Sequence, residues 1–180
     1  MKFFNKMDTQ DLLKLISLLL QYPDQEIKSV DWQTLLDDID EPELKENMYL
    51  FGKYYHQTPL VQLQENYVHT FDFNDKTNLY LTYSKLGDEK ERGQTLAELK
   101  EIYMHAGFEI DSTELPDYLP LLLEFVSLSD EKIRTDLLRR FRSAIENTQQ
   151  MLVEKESPYS NLIQGLLIII DQFILKEVLL

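Results

Sequence analysis

The segment Glu114–Leu128, ELPDYLPLLLEFVSL, places two prolines and a carboxylate directly before an almost uninterrupted apolar run. Pro116 suits the first turn of a helix, because the backbone N–H of a residue there has no intrahelical partner. Pro120 follows one turn later, and the apolar side chains beyond it are expected to pack inward. The segment therefore predicts a buried helix whose start is fixed by its prolines.

Helical patterns continue on both sides of this segment. Asp8 can cap a helix whose run LLKLISLLL (12–20) is apolar nearly all round, which marks it as central. LYLTYSKL (79–86) is ambiguous, but no second strand-like run exists to pair with it, so a short helix is predicted. Further helices are predicted at 24–39, 41–56, 58–71, 88–106 and 130–155, and after ESPYS (156–160). The sum is an all-α fold, a single-domain bundle of about nine or ten helices over residues 1–180.

The composition fits a helical protein with an acidic surface. Glycine (5) and proline (6) are scarce, and the formal net charge is −14. Such a surface repels nucleic-acid phosphates and anionic lipid, and it attracts cationic peptide segments. The absence of cysteine excludes disulfides, iron–sulfur clusters and thiolate zinc sites. We therefore expect a cytoplasmic protein with no nucleic-acid partner.

The C-terminal stretch LIQGLLIIIDQFILKEVLL (162–180) is long and apolar enough to need a test against membrane insertion. A spanning helix needs about 20 mostly apolar residues. Asp171, Lys176 and Glu177 interrupt this run, so it predicts a buried or amphipathic helix and no stable membrane insertion. The N-terminus also lacks the apolar core and cleavage site of a secretory signal.

Two Glu/His pairs are the strongest candidates for metal chemistry. Glu65–His69 and Glu101–His105 are each spaced i, i+4, so each pair shares one helix face. Carboxylate-bridged di-metal bundles instead use Glu-x-x-His, spaced i, i+3, with two further glutamates. No HExxH, Walker loop, GxGxxG or GxSxG is present. The sequence therefore predicts no catalytic residues and no metal site, with a metal-dependent helical enzyme as a less favoured alternative.

Three blocks of sequence resemble one family. YVHTFD (67–72), ERGQTLAELKEIYMHAGFE (91–109) and ELPDYLPLLLEF (114–125) are similar, in order, to the NarJ-type nitrate reductase molybdenum-cofactor assembly chaperones. These belong to the wider TorD/DmsD-like group of redox-enzyme maturation proteins. The early LISLLLQYPD (15–24) also fits, and the likeness beyond residue 130 is only helical.

The resemblance implies an all-helical, cofactor-free chaperone of the cytoplasm. It implies that the chaperone binds the N-terminal segment of the nitrate reductase catalytic subunit. It would hold the apoenzyme for molybdenum-cofactor insertion and delay membrane attachment. Contact with the molybdenum-cofactor insertion machinery stays open at this point, as does the choice between monomer and dimer.

The resemblance also assigns candidate site residues. The expected peptide-binding residues are Tyr67, Phe71, Asp72, Glu114, Pro116, Asp117, Tyr118 and Leu122. The expected structural residues of the motif are Arg92, Gly93 and Pro120. Relatives commonly carry histidine where this chain has Tyr118. This chain therefore lacks the titratable imidazole of those relatives. Asp117 can face a cationic peptide, or it can merely cap a helix or pair with Arg92.

One alternative from a different class remains. The apolar C-terminal helix, with Leu179 and Leu180 at its end, could make the protein a non-catalytic helical adaptor that dimerises. Helical bundles can also exchange terminal elements between protomers, so a swapped dimer is open as well.

Overall fold

The computed structural model describes residues 8–29, 33–83, 89–110 and 113–178. Within these ranges the chain is helical, with one isolated bridge between Tyr80 and Tyr118. The α-helices are α1 (Thr9–Leu19), α2 (Gln25–Ser29), α3 (Gln33–Leu36), α4 (Pro42–Gln57), α5 (Leu60–Tyr67), α6 (Glu89–His105), α7 (Leu119–Leu128), α8 (Glu131–Glu154) and α9 (Tyr159–Val178), and a π-helical turn (Val68–Asp72) extends α5. The all-α prediction is confirmed.

The predicted count of nine or ten helices is slightly high. Nine α-helices occur in the described residues, but α3 is a single turn of four residues, which leaves eight longer ones. The helix predicted at 24–39 is divided between α2 and α3, and residues 30–32 lie outside the described ranges.

Local interactions determine where several helices begin or end. Asp8 and Asp11 form a reciprocal capping box on α1, with the Asp11 N–H 2.8 Å from Asp8 Oδ1. Asp130 caps α8 by accepting from the Ile133 N–H at 2.9 Å. Gly107 follows α6 with φ of +73°, the left-handed conformation that commonly ends a helix.

Two long-range helix pairs build the interior. α1 packs against α7, so two strongly apolar helices cover each other. The Ser17 hydroxyl donates to the Pro120 carbonyl at 2.6 Å and joins these helices across 103 residues of sequence. α9 packs against both α4 and α8. An added Cβ at Gly165 on α9 would lie 3.2 Å from Met48 Sδ, so glycine permits the close approach of α9 to α4.

An aromatic cluster joins α4, α5, the π-helical turn and α9. Tyr159 is fully buried, and its ring centroid lies 5.2 Å from that of Phe51 and 4.8 Å from that of Phe71. Tyr67 also packs edge-on against Tyr159, at 6.2 Å. Offset and edge-to-face contacts of this kind add stability beyond the area they bury. Contacts with Tyr159 therefore hold the rings of Tyr67 and Phe71 in place.

The segment LYLTYSKL is not a short helix where the structure describes it. Residues 79–83, called the 79–83 segment below, form a bridge and a turn, and 84–86 lie outside the described ranges. The Leu81 N–H donates to the Asp117 carbonyl at 3.1 Å, and the Leu119 N–H donates to the Leu79 carbonyl at 2.8 Å. The prediction was wrong because this segment pairs with ELPDYLP (114–120), called the proline-bracketed motif below. That motif does not have the sequence pattern of a strand.

Candidate functional site

A cleft of about 230 Å³ opens where three distant parts of the chain meet. These parts are the turn after α1, the end of α5 with its π-helical turn, and the 79–83 segment paired with the proline-bracketed motif. The lining residues of this acidic cleft are Tyr22, Tyr67, Phe71, Asp72, Leu79, Tyr80, Glu114 and Tyr118. Five of the eight residues predicted to bind a peptide are thus brought together in one place.

The π-helical turn positions two of these side chains. The Phe73 N–H donates to the Val68 carbonyl at 3.1 Å, five residues earlier. This wider turn leaves Phe71 buried at the base of the cleft and Asp72 exposed at its rim. Single π-helical turns inside α-helices are frequent at functional sites, because they redirect side chains that a regular helix would place elsewhere.

Three of the four tyrosines that line the cleft form one of its walls. The Tyr67 hydroxyl donates to the Leu20 carbonyl at 2.9 Å, so it accepts from the Tyr118 hydroxyl, which lies 3.1 Å away. The Tyr22 ring stands edge-on to Tyr67 at 5.7 Å and is about half exposed. Burial raises the pKa of both Tyr67 and Tyr118 above that of an ordinary tyrosine. These two hydroxyls therefore stay neutral at physiological pH.

The rim of the acidic cleft carries two carboxylates. Glu114 accepts a hydrogen bond from the Tyr80 hydroxyl, and Asp72 lies near enough to Glu114 for their charges to interact. Partial burial, followed by the charge of Glu114, raises the pKa of Asp72 above its ordinary value. A cation bound between these groups would relieve their repulsion, so the rim favours a positively charged side chain.

Three predicted peptide-binding residues are buried outside the cleft. Asp117 and Leu122 are fully buried, and Pro116 is buried with its carbonyl accepting from the Tyr103 hydroxyl at 2.7 Å. None of the three lines the acidic cleft. In this structure the three side chains are packed in the interior, so they are not exposed where a peptide could contact them.

Asp117 binds the 79–83 segment. Its Oδ2 atom accepts from both the N–H and the hydroxyl of Thr82, at 3.0 and 2.6 Å. Arg92 Nε in turn donates to the Thr82 hydroxyl at 3.1 Å. Asp117 and Arg92 therefore share the Thr82 hydroxyl as a hydrogen-bond partner. Asp117 does not cap α7, whose N-cap residue is Tyr118.

The residues predicted to have a structural role have three different environments. Pro120 is buried and receives the hydrogen bond from Ser17. Arg92 is half-buried and lies 5.6 Å from the Tyr83 ring centroid. Gly93 is exposed, and an added Cβ would meet no described atom within 4 Å. Close packing therefore does not account for glycine at position 93 in the described structure.

Sequence reasoning missed three lining residues, namely Tyr22, Leu79 and Tyr80. Tyr22 lies in the LISLLLQYPD stretch that carried part of the resemblance, so its position next to Pro23 was an available signal. Leu79 and Tyr80 lie in the stretch mistaken for a helix. Their place in the cleft depends on pairing with the motif, which no local pattern reveals.

The Glu/His pairs do not form a metal site in the described part of the chain. His105 Nδ1 lies 2.8 Å from the backbone carbonyl of Glu101 rather than from its carboxylate. No group of three or more histidine, aspartate or glutamate side chains could hold a metal ion among the described residues. Within the same residues, no helix is both long and apolar enough to cross a membrane.

Comparison with known families identifies the chain. The model of the family described as nitrate reductase delta subunit matches residues 35–163. The chain belongs to the nitrate reductase delta subunit family. The matched range contains the π-helical turn, the 79–83 segment and the proline-bracketed motif, and therefore every lining residue of the acidic cleft except Tyr22.

Two relatives in this family carry chaperone names. The chain is 34% identical over 175 residues to the Bacillus subtilis (strain 168) protein named "Probable nitrate reductase molybdenum cofactor assembly chaperone NarJ", covering 96% of this chain and 95% of that protein. It is 31% identical over 162 residues to the NarW protein of Escherichia coli (strain K12), which has the same descriptive name, covering 87% of this chain and 66% of that protein. Both names describe assembly chaperones, in agreement with the prediction of a non-enzymatic protein.

A solved structure shares the fold. A crystal structure from Archaeoglobus fulgidus, described as a redox enzyme maturation protein, superposes with a TM-score of 0.65. It covers 91% of this chain and 94% of that chain at 22% sequence identity. The all-helical architecture of this delta subunit family member is thus found in a crystal structure.

Proposed function

We propose that residues 1–180 form one chaperone domain that binds the N-terminal segment of a nitrate reductase catalytic subunit in the cytoplasm. It holds the apoenzyme for molybdenum-cofactor insertion and delays membrane attachment. The names of the two relatives support the assembly role. The acidic cleft is the observation that supports peptide binding.

The geometry of the acidic cleft favours one cationic side chain of the client. Its volume of about 230 Å³ is far smaller than a groove for a whole helix. Aromatic rings form its walls, and the Asp72 and Glu114 carboxylates lie at its rim. Aromatic faces and carboxylates both attract guanidinium and ammonium groups. The net charge of −14 adds a long-range attraction for a basic segment.

Calorimetric titration with a synthetic peptide of the client N-terminus tests this proposal. We expect saturable binding that weakens at high salt, because salt screens the charged rim. The double variant Asp72→Asn/Glu114→Gln should bind the peptide about tenfold more weakly, since it removes both rim charges.

A matched variant controls for net charge. Asp136→Asn/Glu154→Gln removes two exposed carboxylates of α8 that do not line the acidic cleft, and it should bind like the wild type. Equal weakening in both double variants would show that only overall charge matters. The absence of saturable binding by the wild type at either salt concentration would refute the proposed client.

A further inference from the structure

We propose that Asp117 is a positioning residue for the acidic cleft, and that it acts by holding Thr82 so that Tyr80 stands in the cleft wall. The proposal rests on the proposed function, because it concerns the same client site. It assigns the buried carboxylate of Asp117 a role in client binding that needs no contact with the peptide.

Asp117 holds the 79–83 segment with both its backbone and its side chain. Its carbonyl accepts from the Leu81 N–H at 3.1 Å, and its Oδ2 accepts from the Thr82 N–H and hydroxyl at 3.0 and 2.6 Å. A further bond joins the Leu119 N–H to the Leu79 carbonyl at 2.8 Å. Residues 79, 81 and 82 are therefore each tied to 117 or 119, with Tyr80 between them.

A cation from α6 completes this arrangement. The Thr82 hydroxyl donates its only proton to Asp117, so it accepts from Arg92 Nε, at 3.1 Å. The Arg92 guanidinium also lies over the Tyr83 ring, with its carbon 5.6 Å from the centroid. Thr82 thus links the buried carboxylate to the cation, and Arg92 contacts Thr82 and Tyr83, two and three residues after the bridge.

Helix formation does not explain why a carboxylate occupies position 117. Tyr118 is the N-cap of α7, no side chain caps that helix, and Pro120 lies in its first turn. Burying a carboxylate costs free energy unless it is well paired, and Asp117 Oδ1 has no hydrogen-bond partner among the described residues. Because Asp117 does not cap α7, its burial is better explained by the need to hold the 79–83 segment that it binds.

What Asp117 positions is a wall of the acidic cleft. The Tyr80 ring centroid lies 5.3 Å from that of Tyr118, and the Tyr80 hydroxyl donates to Glu114 at the rim. Asp117 and Thr82 themselves do not line the cleft. A substitution at either position can therefore change client binding only indirectly, through the residues that Asp117 and Thr82 hold in place.

The test compares four single variants in titrations with the client N-terminal peptide. Thr82→Val removes the hydroxyl that joins Asp117 and Arg92, and Asp117→Asn replaces the carboxylate with an amide of similar size. Thr82→Ser keeps the hydroxyl and should restore binding. Ser17→Ala removes a different buried hydrogen bond, to Pro120 at the start of α7, and controls for lost stability alone. All titrations are made below the measured unfolding transition of every variant.

We expect Thr82→Val and Asp117→Asn to bind about tenfold more weakly, the cost of one hydrogen bond. Thr82→Ser and Ser17→Ala should bind like the wild type. Faster hydrogen exchange at the Leu81 and Thr82 amides should appear in Thr82→Val and Asp117→Asn, and it is measured without any peptide.

Three results would overturn the inference. Unchanged affinity in both Thr82→Val and Asp117→Asn would refute the positioning role while leaving the proposed client intact. Equal weakening in Ser17→Ala would show a general loss of stability instead. A wild type that does not bind the peptide would refute the proposed function, and this inference with it.

Discussion

The two sides of the motif ELPDYLP have opposite environments. On one side, Glu114 and Tyr118 line the acidic cleft and contact Tyr80. On the other side, Pro116 and Asp117 are buried against Tyr103 and Thr82. Neighbouring residues of one short motif therefore contact solvent or the core according to which neighbours pack against them. A motif that marks a family does not by itself show which of its side chains contact a partner.

Leu122→Ala should give the largest effect of these changes. Because Leu122, just after the motif, lies on its buried side, the variant should lower stability without changing peptide binding. Leu122 is fully buried, and its truncation leaves a cavity, so we expect the free energy of unfolding to fall by about 2–5 kcal/mol. Urea denaturation followed by circular dichroism measures this loss. Peptide affinity below the unfolding transition should be unchanged. A normal stability with weakened binding would instead place Leu122 in the client site.

Tyr103→Phe should give a smaller effect on the same side. The variant removes the donor to the Pro116 carbonyl and leaves that buried acceptor unpaired, which should cost about 1–3 kcal/mol of stability. Tyr118→Phe on the cleft side is the matched variant, because it also removes one tyrosine hydroxyl. Thermal unfolding should show the greater loss for Tyr103→Phe. The reverse order would contradict the division of the motif into a buried and a cleft side.

Asp72 should give the smallest effect, seen as a dependence on pH. Its pKa is raised in the folded state, so between the ordinary and the raised value the folded protein binds more protons than the unfolded chain. The ionised Asp72 therefore lowers stability slightly at neutral pH, and acidification through this window relieves the loss. Asp72→Asn should be marginally more stable than the wild type at pH 7.

Denaturation midpoints at neutral and mildly acidic pH measure this difference. The advantage of Asp72→Asn should shrink as the pH falls. Peptide affinity of the wild type should fall over the same range, because protonation removes a rim charge. A stability difference that is constant or grows on acidification would argue against the raised pKa.

Much of the fold could be predicted because its signals are local. The caps at Asp8 and Gly107, the prolines near helix starts and the periodic apolar positions each act within a few residues of themselves. The failure at 79–83 has the opposite cause. Tyr80 pairs with Tyr118, 38 positions later in a segment with two prolines, and only the folded chain brings them together.

The candidate site divides in the same way. The resemblance pointed to Tyr67, Phe71, Asp72, Glu114 and Tyr118, and the structure places all five in one cleft. It did not separate them from Asp117 and Leu122, because burial depends on contacts with Thr82 and α1 that are distant in sequence. The predicted roles of Leu179 and Leu180 in dimerisation concern residues outside the described ranges.

The bond between Ser17 and Pro120 has a consequence for the order of events during synthesis. α1 emerges first from the ribosome, but the helix that covers it begins 100 residues later, at Leu119. The wall of the acidic cleft likewise runs from Tyr22 to Tyr118. Contacts between such distant residues form late, because the intervening chain must first be closed into a loop. The nascent chain therefore cannot assemble the acidic cleft until Tyr118 has been translated.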